Sequence, residues 1–173
     1  LAPNGILLAE KTGEALKDVR FDLCFSSPLA RARKTAELIL DGQAREVPVI
    51  EDKRIQEIDF GELEGVICFN DAHEYLNPEM EKFFTDPWKF KRPKHGENIA
   101  DILARTKDFW DEKIHDPSLL NKTILIASHG CAVRALLQNV YQDPENFWHG
   151  CVPPNCSVNV VEVKNGQAVL LEE

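Results

Sequence analysis

The run Thr123-Ile124-Leu125-Ile126-Ala127 is apolar along almost its whole length, and Ser128-His129-Gly130 and a stretch of helix formers follow it directly. A strand with one wet face alternates polar and apolar residues, whereas a short run that is apolar throughout reads as a central parallel strand covered by helices on both faces. Phe21-Asp22-Leu23-Cys24-Phe25 repeats the design, followed by Ser26-Ser27-Pro28 and the helix formers of Ala30 to Leu40. Serine can cap a helix and proline fits its first turn, so this too is a strand-to-helix junction.

The rest of the chain fills in around these junctions. Gly5 to Val19 is amphipathic, with Ile6, Leu7, Ala9, Ala15, Leu16 and Val19 set among charges, and reads as a helix. Val47 to Ile50 reads as a second strand, and Asp52 to Gly65 as a long ordered loop of the kind that often carries function. Asp71 to Phe84 is expected to be helical with a break at Asn77-Pro78. Pro87 to Gly96 is expected to be irregular, and Glu97 to Ile114 and Ala132 to Asn139 helical. Ser157 to Val163 and Gln167 to Leu171 flank Lys164-Asn165-Gly166, a strong hairpin signal. The expected fold is a three-layer α/β/α sandwich with a mostly parallel central sheet and an antiparallel edge. Residues 1–173 are enough for one domain and too few for two of ordinary size.

Charge narrows the partners. Asp plus Glu number 29 against 20 Lys plus Arg, a net charge of -9, which repels nucleic-acid backbones and anionic membrane surfaces. A small phosphorylated ligand stays possible, because a few arginines and helix N-termini make a locally positive pocket on an acidic protein. No apolar run approaches a membrane span. The five cysteines include no Cys-x-x-Cys pair, so no disulfide framework is expected and a cytoplasmic setting fits. Histidines, cysteines and carboxylates show no paired metal-ligand spacing, and no metal or cofactor is expected. Leu1 is not an initiator methionine, so the chain is expected to begin inside a longer gene product.

In an open α/β sheet the carboxyl ends of parallel strands lie along one edge, so the two junctions should face a common crevice where Arg31 and His129 can meet. Both following helices should point free N–H groups at it, making it an anion site. Each residue alone has an ordinary alternative: Arg31 as part of a solvated helix face, His129 as a structural cap, Glu57 as a loop carboxylate. Ser128 and Cys131 adjoin His129, but neighbours at a helix start seldom form a nucleophile–base pair, and no Gly-x-Ser-x-Gly elbow is present.

The combination is more specific. Ser26-Ser27-Pro28-Leu29-Ala30-Arg31-Ala32-Arg33-Lys34-Thr35-Ala36 resembles the Ser-Ser-x-Leu-x-Arg-Ala-x-x-Thr-Ala segment of the phosphoglycerate mutase-like histidine phosphatases. Arg54 to Gly65 resembles their acid loop, Gly96-Glu97-Asn98 their Gly-Glu-Ser element, and Ala127-Ser128-His129-Gly130 their second histidine motif, all in the family's order. The resemblance implies a phosphoglycerate mutase-like fold and a phosphatase acting on a small phosphomonoester through a phosphohistidine. Within it, Glu57 and His129 would be catalytic and Arg31 and Gly130 substrate-binding. The family's first strand and its Arg-His-Gly turn, which carries the nucleophile, would lie upstream of Leu1. A cofactor-dependent phosphoglycerate mutase is the alternative within the family. A phosphate-ligand-binding protein without catalysis is the alternative outside it. Trp88 to Lys94, with Lys89, Lys91, Arg92 and Lys94, reads either as a lid over the ligand or as a solvated basic loop.

Overall fold

Parallel pairing around one short strand sets the frame. β1 (Leu23–Ser26) lies between β2 (Val49–Glu51) and β3 (Ile124–Ala127), with Ser26 opposite Glu51 on one side and Ala127 on the other. The structure, a computed structural model, describes every residue from Leu1 to Glu173. Successive side chains of β1 point to opposite faces, which is what makes three layers. Cys24 packs with Phe21, Ala36, Val47 and Ala127 on the side of α2 (Ala30–Leu40). Phe25 packs with Ile55, Phe109 and Leu136 on the side of α4 (Ile99–His115) and α5 (Gly130–Leu137). α1 (Pro3–Ala15) lies against α2. A further core of Ile58, Met80, Phe83, Phe90, Ile102, Phe147 and Trp148 fills the space beside α4 and α5.

The α/β class, the parallel sheet and the antiparallel pair match expectation, and the differences in detail have local causes. β3 is an end strand of the parallel ladder and not its centre; its outer edge has no strand paired to it, and Ile126 is 38% exposed. The antiparallel pair, β4 (Val160–Lys164) and β5 (Gln167–Glu172), forms a sheet of its own through a turn in which Asn165 and Gly166 both have positive φ. Asn77-Pro78 starts a helix where a break was expected. The Asn77 side chain accepts the N–H groups of Glu79 and Met80 at 2.9 and 3.3 Å, so α3 runs from Pro78 to Thr85, and Asp71 to Leu76 is not helical, with Tyr75 in an isolated bridge to Phe69. Proline at the first helical position cannot continue a preceding helix, which is why the boundary falls there. α4 opens with a capping box between Asn98 and Asp101. No helix is long and apolar enough to cross a membrane.

Candidate active site

The two junctions do converge. Ser26 ends β1 and Ser27 follows it, both fully buried, and after Pro28 and Leu29 α2 begins at Ala30, so Arg31 stands in its first turn. His129 follows Ser128 between β3 and α5, is the N-cap residue of α5 and is 9% exposed. Arg31 Nε donates to His129 Nδ1 at 3.1 Å, and His129 Nε2 meets Ser27 Oγ at 2.8 Å. A guanidinium N–H can only donate, so Nδ1 is the acceptor and the neutral ring carries its proton on Nε2, directed at Ser27. Burial, reinforced by the Arg31 and Arg105 charges, lowers the His129 pKa to about 4.

Glu57 arrives from the loop between β2 and α3. Its Oε2 accepts the N–H of Cys131 at 3.3 Å, and its Oε1 accepts that of Ala132 at 3.2 Å and that of Ile58 at 3.0 Å. His129 gives α5 no side-chain cap, so a carboxylate distant in sequence supplies it. Two of the α5 N-terminal N–H groups expected to point at the crevice therefore hold Glu57. Burial pushes the Glu57 pKa up, and the three N–H groups and the Arg31 charge pull against it without cancelling it. Gly130 makes room for Val152: a Cβ there would lie 2.9 Å from Val152 Cγ1, but at an ordinary contact distance of 4.0 Å from Glu57 Oε2.

Arg31 differs from the cations around it. Arg33, Arg54, Arg92, Arg105 and Arg134 each pair with a carboxylate, whereas the two terminal nitrogens of Arg31 have no protein acceptor. A guanidinium fork with two free nitrogens beside a neutral imidazole suits an anion with several oxygens. In the basic segment, Lys89 pairs with Asp86 and Arg92 with Asp101, while Phe90 belongs to the core, so half of those cations are neutralised locally. A polar cleft lined by Lys53, Arg54, His95 and Glu97 reaches Glu57 from its other side but includes neither Arg31 nor His129.

The remaining reactive side chains lie elsewhere or are occupied. Ser128 Oγ donates to Ile55 O at 2.8 Å, and burial raises the Cys131 thiol pKa well above its usual value. His115 bonds Asp111 O, and His149 stacks on Tyr141. Sequence reasoning missed Ser27 as a partner of His129, having taken it only as a capping residue.

Over residues 1–172 the chain matches the histidine phosphatase superfamily (branch 1). The chain belongs to that superfamily. This superfamily member is 34% identical to a 2,3-bisphosphoglycerate-dependent phosphoglycerate mutase of Methylobacterium sp. (strain 4-46), over 79% of this chain and 66% of the mutase. Among four such mutases it spans 64–70% of their lengths. Its fold matches YhfR of Bacillus stearothermophilus with a TM-score of 0.83 at 24% identity, covering 100% of this chain and 83% of that one. It also matches a phosphoserine phosphatase variant of Entamoeba histolytica in complex with phosphoserine, with a TM-score of 0.74 at 27% identity, covering 98% and 81% of the two chains.

The loop that carries Glu57 is braced by two close backbones. Gly61 has a φ of +52°, and a Cβ on it would lie 2.3 Å from Lys94 O; one on Gly96 would lie 2.7 Å from Asp59 O. Gly61→Ala therefore meets both a left-handed backbone, worth roughly 1–2 kcal/mol, and an overpacked contact, worth about 1–3 kcal/mol. Urea denaturation should show a clearly lower midpoint at unchanged slope, and an unchanged midpoint would mean that the two backbones separate without cost.

Proposed function

We propose that this protein is a phosphatase that hydrolyses a small phosphomonoester through a phosphohistidine, with a phosphoglycerate mutase as the second reading. The observation that carries the proposal is the placement of Glu57, a carboxyl with a raised pKa at the start of α5, next to the His129–Arg31 pair. In this reading Arg31 grips the phosphoryl oxygens with its two free nitrogens. His129 supports the same group, and Glu57 protonates the leaving oxygen. Oε1 already accepts two N–H groups and Oε2 only one, so the transferable proton sits on Oε2.

The nucleophile is assigned to a further strand docked along the open edge of β3. A strand parallel to β3 would end on the same side as Ala127, so the turn after it would open beside His129. That edge carries Ile126, an apolar residue 38% exposed. Residues preceding Leu1 would supply this strand and its Arg-His-Gly turn.

Phosphatase activity is favoured by the match to a phosphoserine-bound phosphatase and by the short segment between the acid loop and Gly96. Mutase activity is favoured by the curated relatives. The assay that separates them uses the gene's full-length product with 3-phosphoglycerate and with a panel of small phosphomonoesters. Release of inorganic phosphate is the expected result. Isomerisation without release would replace the first reading by the second, and neither reaction, with phosphate still bound, would leave a binding protein.

A further inference from the structure

Arg105 stands on α4 and makes no hydrogen bond to Arg31 or His129, and yet all five of its N–H groups are directed at the acid loop and at the residue that closes it. Nε donates to Glu97 Oε1 at 2.8 Å, and Nη2 to Glu97 Oε2 at 2.8 Å and Glu57 O at 3.0 Å. Nη1 donates to Arg54 O and Gln56 O, both at 2.8 Å. A planar guanidinium carries five donors in fixed directions, so meeting three carbonyls and one carboxylate at once fixes the path of the backbone that enters residue 57. The Glu97 carboxylate continues the clamp on the other side of Glu57: Oε2 accepts the Asp59 N–H at 3.1 Å, and the Glu97 N–H donates to Asp59 O at 2.7 Å. α4 is itself fixed at its start by the Asn98–Asp101 capping box.

We propose that Arg105, together with Glu97, is a positioning pair that holds Glu57 in register for proton transfer to the leaving oxygen. The proposal rests on the reading of Glu57 as the acid. Neither side chain is placed to touch the phosphoryl group; they act on the backbone on either side of Glu57. Lysine at position 105 keeps the charge and loses the fork, so the carbonyls of Arg54, Gln56 and Glu57 can no longer all be met. A misplacement of roughly 1 Å in a reacting group costs up to about 10²-fold in rate.

The test compares two substrates on the full-length enzyme. An alkyl phosphomonoester needs its leaving oxygen protonated, whereas p-nitrophenyl phosphate leaves as a stable phenolate and needs little help. Arg105→Lys and Glu97→Gln should each lower kcat for the alkyl ester by about 10- to 10²-fold, with KM and kcat for p-nitrophenyl phosphate changed by less than about threefold. In a Glu57→Gln background neither substitution should lower the alkyl rate further, because the group they position is gone. Equal losses on both substrates, or full additivity with Glu57→Gln, would overturn the positioning role while leaving Glu57 in place. If Glu57→Gln alone shows no preference between the substrates, the acid assignment fails and the positioning role with it. Glu97→Gln keeps the side chain's size and serves if Arg105→Lys folds poorly.

Discussion

Glu57→Gln should lower kcat for an alkyl phosphomonoester by about 10²–10⁴-fold, with little change in substrate affinity. Glutamine keeps the shape, and with its single carbonyl oxygen in the place of Oε1 it still accepts the N–H groups of Ala132 and Ile58, held at 3.2 and 3.0 Å, so α5 stays partly capped while the Cys131 N–H loses its acceptor on Oε2. What it lacks is a transferable proton, and that confines the loss to the chemical step. The pH profile gives an independent check. Burial raises the Glu57 pKa, and a dianionic substrate beside it raises it further, so the protonated, active form extends above the usual carboxylate range. A general acid works below its pKa, so kcat should fall as pH rises through that raised value, and Glu57→Gln should lack this limb. A variant with normal kcat, or with the alkaline limb intact, would remove Glu57 from the role.

The reason Glu57 can hold this position was only half visible in the sequence. His129 was recognisable because an apolar strand, a short polar turn and a helix start follow one another without a gap, and Arg31 because the same order occurs at Ser26-Ser27-Pro28. Those are local patterns, and parallel topology then brings their ends together. The cap on α5 is non-local: its acceptor lies 74 positions before Cys131, so no short-range rule reveals it. Arg105 is equally silent in sequence, since an arginine amid the charges of a helix reads as solvated surface. The same limit applies to the fold. The apolar composition of β3 shows that it belongs in a sheet but not which neighbours it has, and the order β2-β1-β3 leaves it at the end of the ladder. Asn77-Pro78 was misread for the opposite reason, since proline both ends and starts helices, and the direction was set by the Asn77 side chain turning onto Glu79 and Met80.

Arg31→Ala should weaken binding of inorganic phosphate by about 10²-fold, measured by calorimetry on the full-length protein. Arg31 differs from the paired arginines in having both terminal nitrogens free, and each charge-assisted hydrogen bond they give to an oxyanion contributes about 1.5–3 kcal/mol. Two bonds at the lower end of that range correspond to the stated loss, each 1.4 kcal/mol being about tenfold. Arg31→Lys should fall between wild type and alanine, because it keeps the charge without the fork. His129 responds in the same measurement. Its Nδ1 accepts from Arg31 and its pKa is about 4, so the ring is neutral at pH 7. As the Arg31 guanidinium shifts so that its terminal nitrogens close on a bound dianion, Nδ1 loses its donor and gains a negative neighbour, and both changes favour the imidazolium, while Nε2 stays on Ser27. Phosphate binding should therefore load a proton onto His129, seen as a difference between wild type and His129→Asn in the dependence of the binding enthalpy on buffer ionisation enthalpy, since the protons exchanged by phosphate itself and by Glu57 are common to both. Equal phosphate affinity in Arg31→Ala would mean that the free fork faces solvent and not the ligand. The His129–Arg31 contact would then be an ordinary structural hydrogen bond, and the anion site would have to lie elsewhere on the sheet edge.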